Sequence, residues 1–141
     1  MAAKHILACV DFSEYSTRAL EEIGEYARAN ESKVTLIHVS DPQGFIPPQA
    51  VLEPPSATDA KAHEAELAKL REEHLADLEV ELAVVQDHAP AKAIGDYAEQ
   101  HGVDLIVIGS HGRGGMERWL IGSVAERVVR HSPVNVYVVR R

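Results

Sequence analysis

The stretch LIVIGSHGRGGMERWLIGSVAERVVRH, residues 105–131, carries three kinds of sequence in series. Leu105-Ile106-Val107-Ile108 is a short, continuous apolar run, as a strand buried on both faces needs. Residues 109–123 are rich in glycine, and residues 124–131 return to helical spacing. Strand, glycine loop and helix in that order read as part of a parallel α/β unit. With no Cβ at Gly109, Gly112, Gly114 and Gly115, successive backbone N–H groups can turn toward an anion, and Gly122-Ser123 repeats the arrangement where the helix opens. The helix start adds unpaired donors and a partial positive charge. This is a phosphate-binding layout.

Two common phosphate motifs do not fit it. A Walker loop needs a Gly-Lys pair, which the chain lacks, and a strict G-x-G-x-x-G fails because Glu117 stands where the third glycine belongs. What remains is Gly109-x-x-Gly112, nine residues, then Gly122-Ser123. In that spacing the chain resembles the universal stress protein family, and within it the ATP-binding branch. The resemblance continues through Ile6-Leu7-Ala8-Cys9-Val10-Asp11-Phe12-Ser13-Glu14, Leu36-Ile37-His38-Val39 and Ser132-Pro133-Val134. Cys9, His88 and Asn135 depart from the residues usual in relatives, and only Cys9 lies near the expected nucleotide.

Apolar runs near 4–10, 33–39, 79–86, 104–109 and 134–140 alternate with amphipathic segments near 14–29, 58–76, 90–101 and 123–131. Strand and helix in alternation predict a mostly parallel sheet covered on both faces. Leu20, Ile23 and Ala27 share one face of the first helix, Leu67 and Leu70 mark the apolar stripe of the second, and Pro90 starts the third, which Gly102 closes. At 141 residues and 45% hydrophobic content the chain supports one domain, residues 1–141, with a full core. The resemblance implies an open five-stranded sheet in the order 3-2-1-4-5, Rossmann-like.

Twenty-two acidic against fourteen basic residues give a net charge of −8, which repels nucleic acid and anionic membranes. The single Cys9 makes no intrachain disulfide, and the first apolar run is too short to span a bilayer or serve as a signal peptide. A cytoplasmic protein, not inserted in a membrane, is expected. His63 and His74 are separated by about 16 Å of helical rise, too far to share one metal ion.

Ligands of an open parallel sheet bind at the carboxyl ends of strands, where the winding reverses. Asp11 and Gly109 stand at such ends, and the implied strand order makes them neighbours. Asp11 suits two ribose hydroxyls as acceptor, or equally an N-cap of the first helix shared with Ser13. Adenine would lie against Val39, read by its backbone, with Cys9 and Val10 as apolar walls. Ser110, His111 and Arg113 ride on the loop with Gly114 and Gly115; Ser123 caps the following helix, which Val124 continues. Arg118 and Arg127 are weaker phosphate candidates.

The leading expectation is a small ATP-binding protein, with Mg²⁺ or Mn²⁺ on the phosphates, that acts as a nucleotide-dependent regulator through an unidentified protein partner. An adenylyl transferase or ATP pyrophosphatase is the enzymatic alternative, but neither a His-x-Gly-His nor a Ser-Gly-Gly segment is present, so slow hydrolysis is the most expected. The third reading is a dimeric module without nucleotide. Two further expectations concern surfaces. Val134-Asn135-Val136-Tyr137-Val138-Val139, apolar on both faces and last in the chain, would form a homodimer interface, as the family tends to. Residues 41–56, holding five of the seven prolines, would be the mobile output of the nucleotide site.

Overall fold

The computed structural model describes residues 2–40, 57–110 and 121–140, with side chains from residue 60 onward in the helix that begins at 57. The proline-rich run and its expected lid role therefore lie outside the described residues, as do residues 111–120. Nine elements follow in strict alternation among the described residues: β1 (His5–Cys9), α1 (Glu14–Asn30), β2 (Lys33–Ser40), α2 (Ala57–His74), β3 (Val80–Gln86), α3 (Pro90–Gln100), β4 (Leu105–Gly109), α4 (Ser123–His131) and β5 (Asn135–Val139). Every strand pair is parallel and the order is β3-β2-β1-β4-β5. The chain thus winds from β1 outward to β3, then returns to the other side of β1, so the switch point falls between β1 and β4.

Alternation along the strands sends side chains to two separate cores. Ile6, Ala8, Val34 and Leu36 pack with Leu20, Ile23 and Ala27 of α1 and Leu67 of α2. Leu7, Ile37, Ile106 and Ile108 pack with Ile94 and Ala98 of α3 and Ala125 and Val128 of α4. Ile6, Leu7, Leu36 and Ile106 are fully buried, as expected of β1, β2 and β4 inside the sheet.

Local signals set the helix ends. The Ser13 side chain caps α1 by accepting from the Ser16 amide. Pro90 opens α3, where a missing N–H costs nothing, and beyond its C-cap at His101 Gly102 turns left-handed at φ 65°. In β5 the burial alternates: Val136 and Val138 pack on the α3–α4 core while Tyr137 stays half exposed. Val139, of the same parity as Tyr137, is buried in the α1–α2 core, so the expectation of a strand apolar on both faces holds at that end and gives way at Asn135 and Tyr137. On this α1 side of the sheet Asn135 is exposed and the Tyr137 hydroxyl donates to Glu22 Oε2 of α1 at 2.9 Å.

Candidate functional site

A cavity of about 270 Å³ opens at the carboxyl ends of β1, β2 and β4, against the start of α4. Nine of the expected site residues line it. Cys9, Val10 and Asp11 come from the end of β1, Val39 from β2, Gly109 and Ser110 from β4, and Gly122, Ser123 and Val124 from α4. The other five, His111, Gly112, Arg113, Gly114 and Gly115, lie outside the described residues. Arg118 lies there too, whereas Arg127 faces a different groove, between α3 and α4, with Glu99 and His131.

The β1–β2 ladder ends at the Cys9–Ile37 pair, and the Val10 amide then donates to the Ile37 carbonyl at 2.8 Å. Strand β2 runs on to Ser40. Backbone groups of Val39 repeat the direction of those of Ile37 by the two-residue period, so they point toward the β1 side beyond the last ladder pair. Ile37, Pro90, Ile94 and Ile108 also line the cavity and make an apolar slot in it. None of these four was singled out from the sequence. Ile37 shares the parity of Val39 and Ile108 precedes Gly109, which is the available signal for those two.

Asp11 does not cap α1. Its Oδ1 accepts from the Ser13 amide at 2.9 Å and from the Ser13 hydroxyl, and that Ser13 oxygen in turn accepts from the Ser16 amide at 3.3 Å. The carboxylate is therefore the brace of the cap and a wall of the cavity together. Ser16 was also missed: only 3% exposed, it lines the cavity and gives its hydroxyl proton to the Ser13 carbonyl at 3.0 Å. Its spacing of three from Ser13, the reach of a capping bond, is the signal that could have found it.

At the opposite wall the ends of the glycine-rich segment are drawn together. The Gly122 amide donates to the Ser110 carbonyl at 2.6 Å, and the Ser110 amide donates to Val139 at 2.9 Å. Gly122 is the N-cap of α4 and Ser123 its first residue, which corrects the expectation that Ser123 caps the helix with its hydroxyl. Helical bonding starts with the Glu126 amide on the Gly122 carbonyl at 2.9 Å. Amides of Ser123, Val124 and Ala125 thus open the first turn, where a helix has no acceptor of its own for them. Gly109 serves packing: a Cβ there would stand 3.4 Å from the backbone and Cβ of Tyr15 in α1.

Electrostatically the cavity is mixed. Burial, and then the charge of Asp11, push the Cys9 thiol up to about 12, so it stays a neutral wall. The α4 end contributes the positive pole of a helix. One rim therefore carries a carboxylate acceptor, the other a set of donors, with an apolar slot between. Among the described residues no group of three or more His, Cys, Asp or Glu side chains is placed to hold a metal ion, and no helix is long and apolar enough to cross a membrane.

Fold and cavity define a single-domain α/β protein with a cavity at the switch point of a parallel sheet, where such folds take their ligands. The sequence profile of the universal stress protein family matches residues 2–140, and the chain belongs to that family. It is 32% identical over 143 residues to a universal stress protein of Methanocaldococcus jannaschii, an alignment covering 98% of this chain and 82% of the relative. Universal stress protein UspA from Lactobacillus plantarum superposes with a TM-score of 0.78 at 28% identity, covering 97% of both chains. A universal stress protein in complex with cAMP superposes at 0.74 and 25% identity, covering 99% of this chain and 98% of the other.

Proposed function

We propose that this protein is an ATP-binding member of its family, a nucleotide-dependent regulator in the stress response. The observation that carries the reading is the cavity at the switch point. It sets the Asp11 carboxylate, the Val39 backbone and the first turn of α4 around one apolar slot. Each part suits one part of ATP: a base edge at Val39, ribose hydroxyls at Asp11, phosphate oxygens at the amides of Ser123, Val124 and Ala125. The neighbour solved with cAMP, itself an adenine nucleotide, supports the same ligand class. Cys9, Val10, Gly109 and Ser110 complete the described wall, and His111, Gly112, Arg113, Gly114 and Gly115 belong to the proposed phosphate loop by sequence.

In this reading Mg²⁺ or Mn²⁺ travels on the ATP phosphates. The output is binding by a protein partner in the cytoplasm, with at most slow hydrolysis. We further propose a homodimer through β5, which pairs only with β4 in the described sheet and leaves Tyr137 half exposed. Calorimetric titration with ATP in the presence of Mg²⁺, together with identification of any nucleotide carried by the purified protein, tests the reading. Saturable one-to-one binding is expected, and no heat of binding with ATP, ADP or AMP would sink it. Turnover of the bound ATP separates the regulator from a transferase.

A further inference from the structure

Three consecutive residues leave β1 toward three different duties. The Val10 carbonyl accepts the Nδ1–H of His38 at 2.7 Å. Asp11 lines the cavity and braces Ser13. Phe12, next in the chain, holds a left-handed φ of 64°, a conformation that a bulky residue keeps only where its surroundings impose it.

Its ring shows what imposes it. Phe12 packs onto the α1–α2 core, on the opposite face of the sheet from the α3–α4 core that walls the cavity. Its centroid lies 4.6 Å from that of His38 and 5.8 Å from that of His63, with the His63 ring inclined by only 21°. His38 and His63 close the triangle at 4.5 Å. His38 is tied to the same turn through Val10, whereas His63 arrives from α2. Among the described residues His63 Nδ1 is buried with no hydrogen-bond partner. A buried nitrogen left unpaired is destabilising, so Nδ1 gives this position no stability, whereas the ring makes contacts with Phe12 and His38.

We infer that His63 is a positioning residue for Asp11: stacked on Phe12 from the other face of the sheet, it holds the left-handed residue that follows Asp11 and so aims the carboxylate into the cavity. This rests on the nucleotide reading above and deepens it, since the sugar end of the site then depends on α2. The phosphate end, built from α4, does not.

The test compares three probes, ATP, 2′,3′-dideoxy-ATP and inorganic triphosphate, by calorimetry on the full chain and its His63→Ala and His63→Phe variants. Wild type should prefer ATP over the dideoxy compound. In His63→Ala that preference should shrink by roughly two- to tenfold, the usual worth of one aromatic contact, with triphosphate binding unchanged. His63→Phe keeps the ring and should keep the preference. An undiminished preference in His63→Ala, or equal weakening of all three probes, overturns the positioning role while nucleotide binding stands. A wild type that binds ATP and dideoxy-ATP alike also overturns it alone; a wild type that binds no ATP overturns both readings. Should His63→Ala not fold, His63→Gln, which lacks the ring but keeps a polar chain, carries the same expectation.

Discussion

The amide of Gly122 donates to the carbonyl of Ser110 at 2.6 Å. This bond joins the residue that follows β4 to the cap of α4 across the ends of the glycine-rich segment. It also removes the Gly122 amide from the donors that could face an anion, and hands that task to the next three amides. Glycine at 122 is not needed for backbone freedom, because φ of −64° and ψ of 153° suit any residue. What it supplies is the lack of a side chain at a buried point on the cavity wall.

Gly122→Val should therefore weaken ATP binding more than Asp11→Ala does. The valine places methyl groups in the phosphate path, and the alanine removes charge-assisted hydrogen bonds worth about 1.5 to 3 kcal/mol, roughly ten- to a hundredfold in affinity. Calorimetric titration of both variants reads the order. Wild-type affinity in both would take the nucleotide away from this cavity.

Packing gives Gly109 a separate role. A Cβ at that residue would only touch Tyr15 at 3.4 Å, but the branched methyls of valine reach further into the α1 backbone. Gly109→Ala should shift the melting temperature by a few degrees at most, and Gly109→Val should destabilise by about 1 to 3 kcal/mol through overpacking. Chemical denaturation of both separates this from a loss of anion binding, which would leave stability untouched.

The proposed dimer can be tested where β5 is exposed. Tyr137 is half exposed, while Val136 packs inward and would report core damage instead. Light scattering at micromolar concentration should find a wild-type dimer, and Tyr137→Lys should shift it toward monomer. A monomeric wild type would refute the interface.

The order of elements was legible because apolar runs and helical spacing alternate along the chain, broken only by the proline-rich run 41–56, and each run lies within two residues of its observed strand. The glycine spacing and Asp11 located the cavity rims, since both stand at strand ends where a parallel sheet leaves its ligands. The apolar slot was not legible. Ile37, Pro90, Ile94 and Ile108 look like any core residues, and only tertiary packing turns them toward a cavity. Nor could spacing reveal that Ser13 takes the α1 cap, leaving Asp11 to brace it, because both short polar side chains satisfy a cap equally well in sequence. The meeting of Phe12, His38 and His63 joins the β1–α1 connection to β2 and α2, and no local pattern records it.

A histidine at the amino end of the sheet should shape the acid limb of stability. His5 Nε2 lies 2.8 Å from the hydroxyl of the fully buried Thr35, and burial first, then nearby Lys33, hold the imidazole below its ordinary 6.5. The unfolded chain then takes up a proton at a higher pH than the folded one. Stability from His5 is fully present above about pH 6.5 and is lost as pH falls toward the folded value. His5→Asn should flatten the fall of the melting temperature over that window. An unchanged slope would assign the acid sensitivity to other groups.

Cys9 offers a direct readout of the cavity. With its thiol pushed up to about 12, the thiolate at pH 8 is on the order of one in ten thousand molecules, and alkylation by iodoacetamide should be very slow until the protein unfolds. Burial is the larger cause and the Asp11 charge the smaller, so Asp11→Asn should speed the reaction only modestly. Because Cys9 lines the cavity, ATP should slow it further in the native protein, as followed by intact-mass spectrometry. Rapid native labelling would contradict the raised thiol of this half-buried cysteine. Labelling that saturating ATP leaves unchanged would mean that the nucleotide does not cover the wall formed by Cys9, and the base would have to sit elsewhere.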